Sequence, residues 1–231
     1  MKIVTIGDIH GKNVWKKIVD DNPADKIIFV GDYVDDFVHS NVKILSNLKD
    51  IIDFKANNPD KVILLLGNHD FQYLFFPEYR CQGFRAEAYP DLYDAFYKNR
   101  DLFQIAWSYN KFLWTHAGVN EIWYEKHLKG SKNIVEDLND MIMTRPGRDA
   151  LGSEIGKRGM FSSGFGSPLW SDKKETLKFP IDGWHQIVGH TRVDMITIEA
   201  FSSTCSITYV DCLKEIHKGV EPVNEPLILS L

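Results

Sequence analysis

The stretch KIVTIGDIHG, Lys2 to Gly11, sets the reading of the chain. Lys2 to Ile6 is a short β-rich run that stops at Gly7, and the positions that follow, Asp8 and His10, carry side chains able to bind metals or move protons. The same arrangement recurs twice. Lys26 to Val30 stops at Gly31 before Asp32, and Lys61 to Leu66 stops at Gly67 before Asn68, His69 and Asp70. Between these runs, Lys12 to Asp20 and Ser40 to Asn57 have helical spacing, with Ser40 as an N-cap and Asn57-Asn58-Pro59 as a stop. The alternation predicts βαβαβ with parallel strands, whose C-terminal ends open onto one crevice.

Length and composition agree with one α/β domain spanning residues 1–231. The chain is 44% hydrophobic and 26% charged, ordinary usage that excludes disordered, collagen-like and coiled-coil chains. Its net charge of -5 lacks the basic excess of an extended nucleic-acid binder. The longest apolar runs fall well short of the ~20 residues that span a bilayer, so no membrane association is expected. Cys81, Cys205 and Cys212 are an odd set without CxxC spacing, which speaks against a disulfide framework and a zinc knuckle. The apolar run before Gly7 is too short for a signal peptide, and the expected location is the cytoplasm.

Further along, residues 71–100 are rich in aromatic residues and read as helical pieces broken at Pro77 and Pro90, with the rings packed in a core beneath a cap. Phe103 to Tyr109 and Phe112 to Thr115 read as a hairpin joined at Asn110-Lys111, and residues 121–143 as two short helices. Thr144 to Pro168 is glycine-rich without a strong period and reads as a long surface excursion that could form a lid. Strands return at Ile187 to Val188, Met195 to Ile198, Ser206 to Val210 and Pro226 to Leu231.

The metal-capable residues fall where this plan converges. Asp8, His10, Asp32, Asn68, His116 and His190 all lie just past the C-terminal end of a predicted strand. A Gly-Asp or Gly-Asn pair is by itself an ordinary turn, but five such coincidences are more simply one shared site. Mixed imidazole and carboxylate ligands suit Mn, Fe or Zn better than an all-oxygen calcium cage. Two such ions sharing Asp32 would activate a bridging water and stabilise in-line displacement at phosphorus.

The motifs GDIHG (Gly7 to Gly11), GDYVDD (Gly31 to Asp36), GNHD (Gly67 to Asp70), THAGV (Thr115 to Val119) and VGHT (Val188 to Thr191) also carry a resemblance. In this order they resemble the calcineurin-like metallophosphoesterases, and among them the phosphoprotein phosphatase branch with its bacterial, phage and diadenosine-tetraphosphatase relatives. The resemblance implies a two-sheet β-sandwich flanked by helices and two divalent metal ions, Mn foremost, with Fe, Zn or Ni as alternatives. Asp8, His10 and Asp32 would hold the first ion; Asp32, Asn68, His116 and His190 the second. It also implies that His69 protonates the leaving oxygen, with Asp35 as its acidic partner, and that a metal-bridging hydroxide attacks directly without a phosphoenzyme.

Two positions depart from common family patterns. Many relatives read GHxH at the last motif, where this chain has Arg192 two residues after His190, as suits the phosphoprotein phosphatase branch. That branch usually has Arg-Gly after GDxxD to clamp the substrate phosphate, and this chain has Asp36-Phe37. Arg145, in TRPGR ahead of Trp170-Ser171-Asp172, resembles the family's second phosphate arginine and is the expected phosphate contact; Arg80, Arg85, Arg148 and Arg192 are further candidates. His39, His127, His185 and His217 match no motif and are given no role. The function implied is a phosphomonoesterase of the serine/threonine protein phosphatase type, acting on a phosphorylated substrate such as a phosphoprotein or nucleotide. The alternatives are a nucleotide or RNA-end hydrolase that cuts a dinucleoside polyphosphate or cyclic phosphodiester, and a catalytically silent metal-binding relative.

Overall fold

The computed structural model describes residues 1–36, 38–159, 164–214 and 224–231, so His217 lies outside the described residues. Strands β1 (Lys2–Ile6), β2 (Lys26–Phe29) and β3 (Val62–Leu65) pair in parallel, joined by helices α1 (Trp15–Asp21) and α2 (Asn41–Asn57). Ser40 caps α2 by accepting the Lys43 N–H at 3.3 Å.

These strands read as unbroken apolar runs because both of their faces are buried. Val4, Ile6, Ile27, Phe29, Val62 and Leu64 face a core shared with Ile44, Leu48 and Ile51 of α2. Ile3, Ile28, Ile63 and Leu65 point the other way, into a second core with Trp114 and Ile187. Each such aliphatic side chain contributes about 1.5–3 kcal/mol by leaving water. The indole N–H of Trp114 donates to the Thr5 hydroxyl at 2.9 Å, so the buried polar side chain of β1 is satisfied in the interior.

The second core lies between two sheets. The first has the order β10-β1-β2-β3-β4, with β4 at Phe103–Gln104 and β10 at Leu227–Ser230; the second has the order β5-β6-β7-β9-β8. Its strands are β5 (Ala106–Tyr109), β6 (Phe112–Thr115), β7 (His185–Val188), β8 (Thr197–Ser202) and β9 (Cys205–Tyr209). The architecture is thus the expected α/β sandwich of two sheets flanked by helices.

Three local expectations are corrected. The run from Phe103 to Tyr109 is not one strand: β4 pairs with β3 in the first sheet, and after Ile105 β5 pairs with β6 in the second. Asn139 makes the crossing possible, its side-chain oxygen accepting the N–H groups of Ile105 and Ala106 at 2.8 and 3.0 Å. Pro90 does not break a helix but sits in the first turn of α4 (Tyr89–Lys98), where the missing N–H costs nothing. The glycine-rich segment from Thr144 is in part helical: α7 (Arg145–Ser153) is capped by Thr144, which accepts the Gly147 N–H. Gly147 and Gly152 are there for close approach, since a Cβ would meet the Met141 carbonyl oxygen at 2.1 Å and the Tyr79 ring at 2.5 Å. The aromatic segment does pack inward, with Phe71, Tyr73 and Phe96 fully buried around α3 (Asn68–Leu74) and α4. Helices α5 (Glu121–His127) and α6 (Ile134–Met141) lie where two short helices were expected, and α8 (Lys173–Lys178) precedes β7.

Candidate metal centre

The loops that leave β1, β2, β3, β6 and β7 meet at one end of the sandwich. Two triads of metal-capable side chains form there, Asp8–His10–Asp32 and Asp32–His116–His190, each with its donor atoms within 4.8 Å of one another. Asp32 belongs to both. Its Oδ2 lies 3.7 Å from His10 Nε2 and 3.4 Å from His116 Nε2. Asn68 joins the second triad, with its side-chain oxygen 3.1 Å from His116 Nε2, which is in turn 3.2 Å from His190 Nδ1.

The backbone is bent to bring these groups in. His10, Asp32 and His190 have φ of +43°, +51° and +60°, and Asp35 of +59°, a left-handed conformation that non-glycine residues adopt at a cost and that clusters at functional sites. Buried carboxylates hold the turns in place. Asp70, with no exposed surface, accepts the N–H groups of Asp32, Tyr33 and Gly67 at 2.7, 2.9 and 2.9 Å, so one side chain fixes the loops after β2 and β3 together. The His190 N–H donates to both Asp8 oxygens, at 3.1 and 2.9 Å.

The donor set fits divalent ions. His116 Nδ1 lies 2.8 Å from the Val30 carbonyl oxygen, and His10 Nδ1 2.6 Å from that of Asp35; each carbonyl takes the Nδ1 proton and leaves Nε2 facing Asp32 with a lone pair. His190 Nε2 is buried and has no hydrogen-bond partner among the described residues. Without an ion, protons must screen the crowded carboxylates. Burial, Asp211 and Asp32 push Asp8 well above the usual carboxylate range. Burial would lower His116, but the Asp32 carboxylate beside it wins and raises it to about 9. Asp32 is held well below its ordinary value despite burial, because His116, His69 and His10 surround it.

His69 stands beside this centre. Its backbone N–H donates to Asp32 Oδ1 at 3.0 Å, its ring Nδ1 is 3.0 Å from Asp35 Oδ2, and its ring centroid is 5.3 Å from that of His10. Burial works against a charged His69, yet Asp32 and the Asp35 hydrogen bond raise it well above the usual imidazole range. Asp35 is clamped in turn by Gln72 Nε2 and the Tyr73 hydroxyl, both at 2.5 Å.

The other expected residues are placed differently. Arg145 is exposed on the first turn of α7, bound to Glu78 at 2.8 Å and Asp149 at 3.1 Å, and these contacts do not bring it to the metal ligands. Asp36 is turned into its own loop, accepting the His39 N–H at 2.9 Å and contacting the His39 ring. Burial would raise Asp36, but the His39 and Val38 N–H groups hold it below its ordinary value. His39, which matches no motif, is therefore the buried partner of Asp36.

Several supporting residues carried no signal in the sequence. Asp70 was visible in GNHD, but its three backbone partners were not; Gln72 and Tyr73 looked like ordinary helix positions. Arg158 binds Asp172 at 3.1 Å and the Thr191 hydroxyl at 2.9 Å, next to His190. The loop that carries it is held by Glu175, a buried carboxylate that accepts the N–H groups of Lys157, Gly166 and Asp172. An acidic residue three positions after Asp172 signals a capping box, and nothing in that spacing points to a distant loop.

Comparison with known proteins agrees with this geometry. A family model described as calcineurin-like phosphoesterase matches residues 1–194, and the chain belongs to that family; it is a phosphoester hydrolase. Members of the family use divalent metals, and the ligand groups for them are present here. No curated protein matches the chain. A cold-active protein-tyrosine phosphatase of a psychrophilic Shewanella species has a similar fold at 16% identity, with 91% of this chain and 71% of that chain covered and a TM-score of 0.56. A second structure of a cold-active protein tyrosine phosphatase gives 16%, 91% and 69%, and a TM-score of 0.60. A protein serine/threonine phosphatase of Saccharomyces cerevisiae is 14% identical over 90% of this chain and 66% of that one, with a TM-score of 0.49. Among the described residues, no helix is long and apolar enough to cross a membrane.

Proposed function

We propose that the protein is a phosphomonoesterase of the serine/threonine protein phosphatase type, with Asp8, His10 and Asp32 holding one divalent ion and Asp32, Asn68, His116 and His190 a second. The observation that carries the reading is the position of Asp32, shared by both triads and hydrogen bonded to the His69 backbone. When bound, the ions supply Lewis-acid activation of water and of a phosphoryl oxygen. Mn is the expected ion in vitro.

The chain's own residues supply the proton. With Nδ1 directed to Asp35, His69 presents Nε2 to a leaving oxygen, and the neighbouring carboxylates keep the ring protonated so that it can donate. Asp35 fixes the tautomer, and Tyr73 and Gln72 fix Asp35. A phosphoserine or phosphothreonine leaves as a poor alkoxide, which is the kind of leaving group a positioned acid helps most.

The test is phosphate release by chelator-treated protein titrated with Mn²⁺, using p-nitrophenyl phosphate, a phosphoserine peptide, bis-p-nitrophenyl phosphate and diadenosine tetraphosphate in parallel. Mn-dependent turnover of the monoesters, abolished by Asp8→Asn, is the expected result. Turnover confined to the diester or the tetraphosphate would replace this reading with the nucleotide-hydrolase one.

A further inference from the structure

A phosphate monoester approaching this centre meets many carboxylates and needs a cation to hold it. Asp8 and Asp32 are ligands, Asp211 is buried close enough to raise Asp8, and Asp36 stands where relatives carry a clamping arginine. Most of the nearby cations are already engaged. Arg145 is held by Glu78 and Asp149, Arg158 by Asp172 and Thr191, and Arg85 by Asn41 at 2.6 Å. Arg80 lies over the Phe76 and Phe84 rings, and Arg148 over Phe75. The Lys12 ammonium is folded back onto the Asp8 and Ile9 carbonyl oxygens, both at 3.3 Å.

Arg192 differs from all of these. Its side chain is exposed, and among the described residues it makes no hydrogen bond or ion pair. The backbone on either side is nevertheless fixed. His190 is bonded to Asp8, Arg158 holds Thr191, and the Val193 N–H donates to the Asp211 carbonyl oxygen at 2.9 Å. The preceding Gly189 is pressed so closely against Asp8 that a Cβ would come within 2.0 Å of its Oδ1. Arg192 follows His190 by two residues, and the His190 N–H is bonded to both Asp8 oxygens, so the loop that carries Arg192 is anchored on the Asp8 side of the centre. The charge of Arg192 reaches the buried Asp211 carboxylate without a hydrogen bond, and a fixed backbone carrying such a guanidinium suits an anion that arrives from solution, since little ordering remains to be done.

We infer that Arg192 anchors the substrate phosphate on the Asp8–His10 side of the centre, doing from the loop after β7 what a clamping arginine at position 36 does in relatives. Asp36 then caps its own loop and leaves phosphate binding to Arg192. This assignment rests on the phosphomonoesterase reading and identifies the residue that selects for a terminal phosphate.

The experiment combines steady-state kinetics at saturating Mn²⁺ with calorimetric titration of the Mn-loaded protein with inorganic phosphate. Arg192→Ala should raise KM for the monoester and weaken phosphate binding by about 10-fold or more, as expected for a lost charge-assisted contact, with a smaller change in kcat and unaltered Mn content. Arg192→Lys should recover part of the loss by restoring the charge without the fork, and Arg100→Ala should change neither quantity. Unchanged KM and phosphate affinity in Arg192→Ala would overturn the inference, as would the same loss appearing in Arg145→Ala and not in Arg192→Ala. A wild type that hydrolyses no monoester would sink the functional reading alone, because the phosphate titration still decides Arg192.

Discussion

Replacing Asp70 by Asn tests whether one buried carboxylate holds the two ligand loops together. Asp70 Oδ2 accepts from Asp32 and Gly67, and Oδ1 from Tyr33. An asparagine has one acceptor oxygen. Placed to keep Asp32 and Gly67, it turns its NH₂ toward the Tyr33 N–H, leaving one buried donor orphaned at a cost of about 1–3 kcal/mol. For a chain of this size that is a fall in Tm of about 2–12 °C. Asp70→Ala would orphan all the donors and cost about three times as much, comparable with the total stability of a domain, so Asn is the informative variant.

The same residue gives a pH signature. In the metal-free protein, burial and the neighbouring Asp32 raise Asp70 to about 8. The unfolded chain ionises this group near its ordinary 3.8 while the folded chain keeps its proton, so metal-free stability declines as pH rises from about 4 to about 8. Asp70→Asn should make that decline shallower, because the amide does not titrate, while Asp8 and Asp211, also raised by burial, keep their own shares of it. Urea unfolding of chelated wild type and variant across this range, with Mn²⁺ affinity measured on both, checks each part. A variant with unchanged Tm, unchanged pH slope and unchanged Mn²⁺ affinity would refute the claim that Asp70 holds the loops.

Other expectations concern the centre itself. His69→Ala should lower kcat by about 10²- to 10⁴-fold on substrates with poor leaving groups while keeping its metal; loss of the metal would reassign His69 as a ligand. Metal loading at neutral pH should release protons, because His116, raised to about 9, and Asp8, also raised, must give theirs up to become ligands. Calorimetry in buffers of different ionisation enthalpy reads this directly, and zero release would contradict the protonation states given above. Gly189→Ala should displace Asp8 and weaken metal binding, since its Cβ would sit 2.0 Å from Asp8 Oδ1; full Mn²⁺ occupancy at wild-type affinity would show that the loop can yield.

The parts of the fold that could be read from the sequence share a physical cause. Strands buried on both faces leave unbroken apolar runs, and the glycines that end them mark where Asp8, Asp32 and Asn68 emerge; this pattern, with the ordered motifs, picked out six metal-capable residues and the His69–Asp35 pair that the fold brings together. What was missed depends on contacts between distant segments. Ile105 carries no mark that the sheet changes there, because the device that permits the change is Asn139, on a helix 34 residues later. Gly147 and Gly152 looked like loop residues because composition records their flexibility and not the Met141 backbone and Tyr79 ring that leave no room for a side chain. Arg145 came first by its motif and Arg192 among the further candidates; that Glu78, 67 residues away, would hold Arg145 leaves no mark in the sequence.

The crossing at Ile105 divides the ligands as well as the sheets. Asp8, His10, Asp32 and Asn68 follow strands of the first sheet, and His116 and His190 follow strands of the second. The first sheet carries the whole set proposed for one ion, whereas the set proposed for the second is split between the sheets, so on that reading binding of the second ion works as a coincidence detector that reports the docking of the two halves in register. On that reading an inner core that looks purely structural, Ile3 and Ile28 against Trp114 and Ile187, would also set the affinity for the second ion.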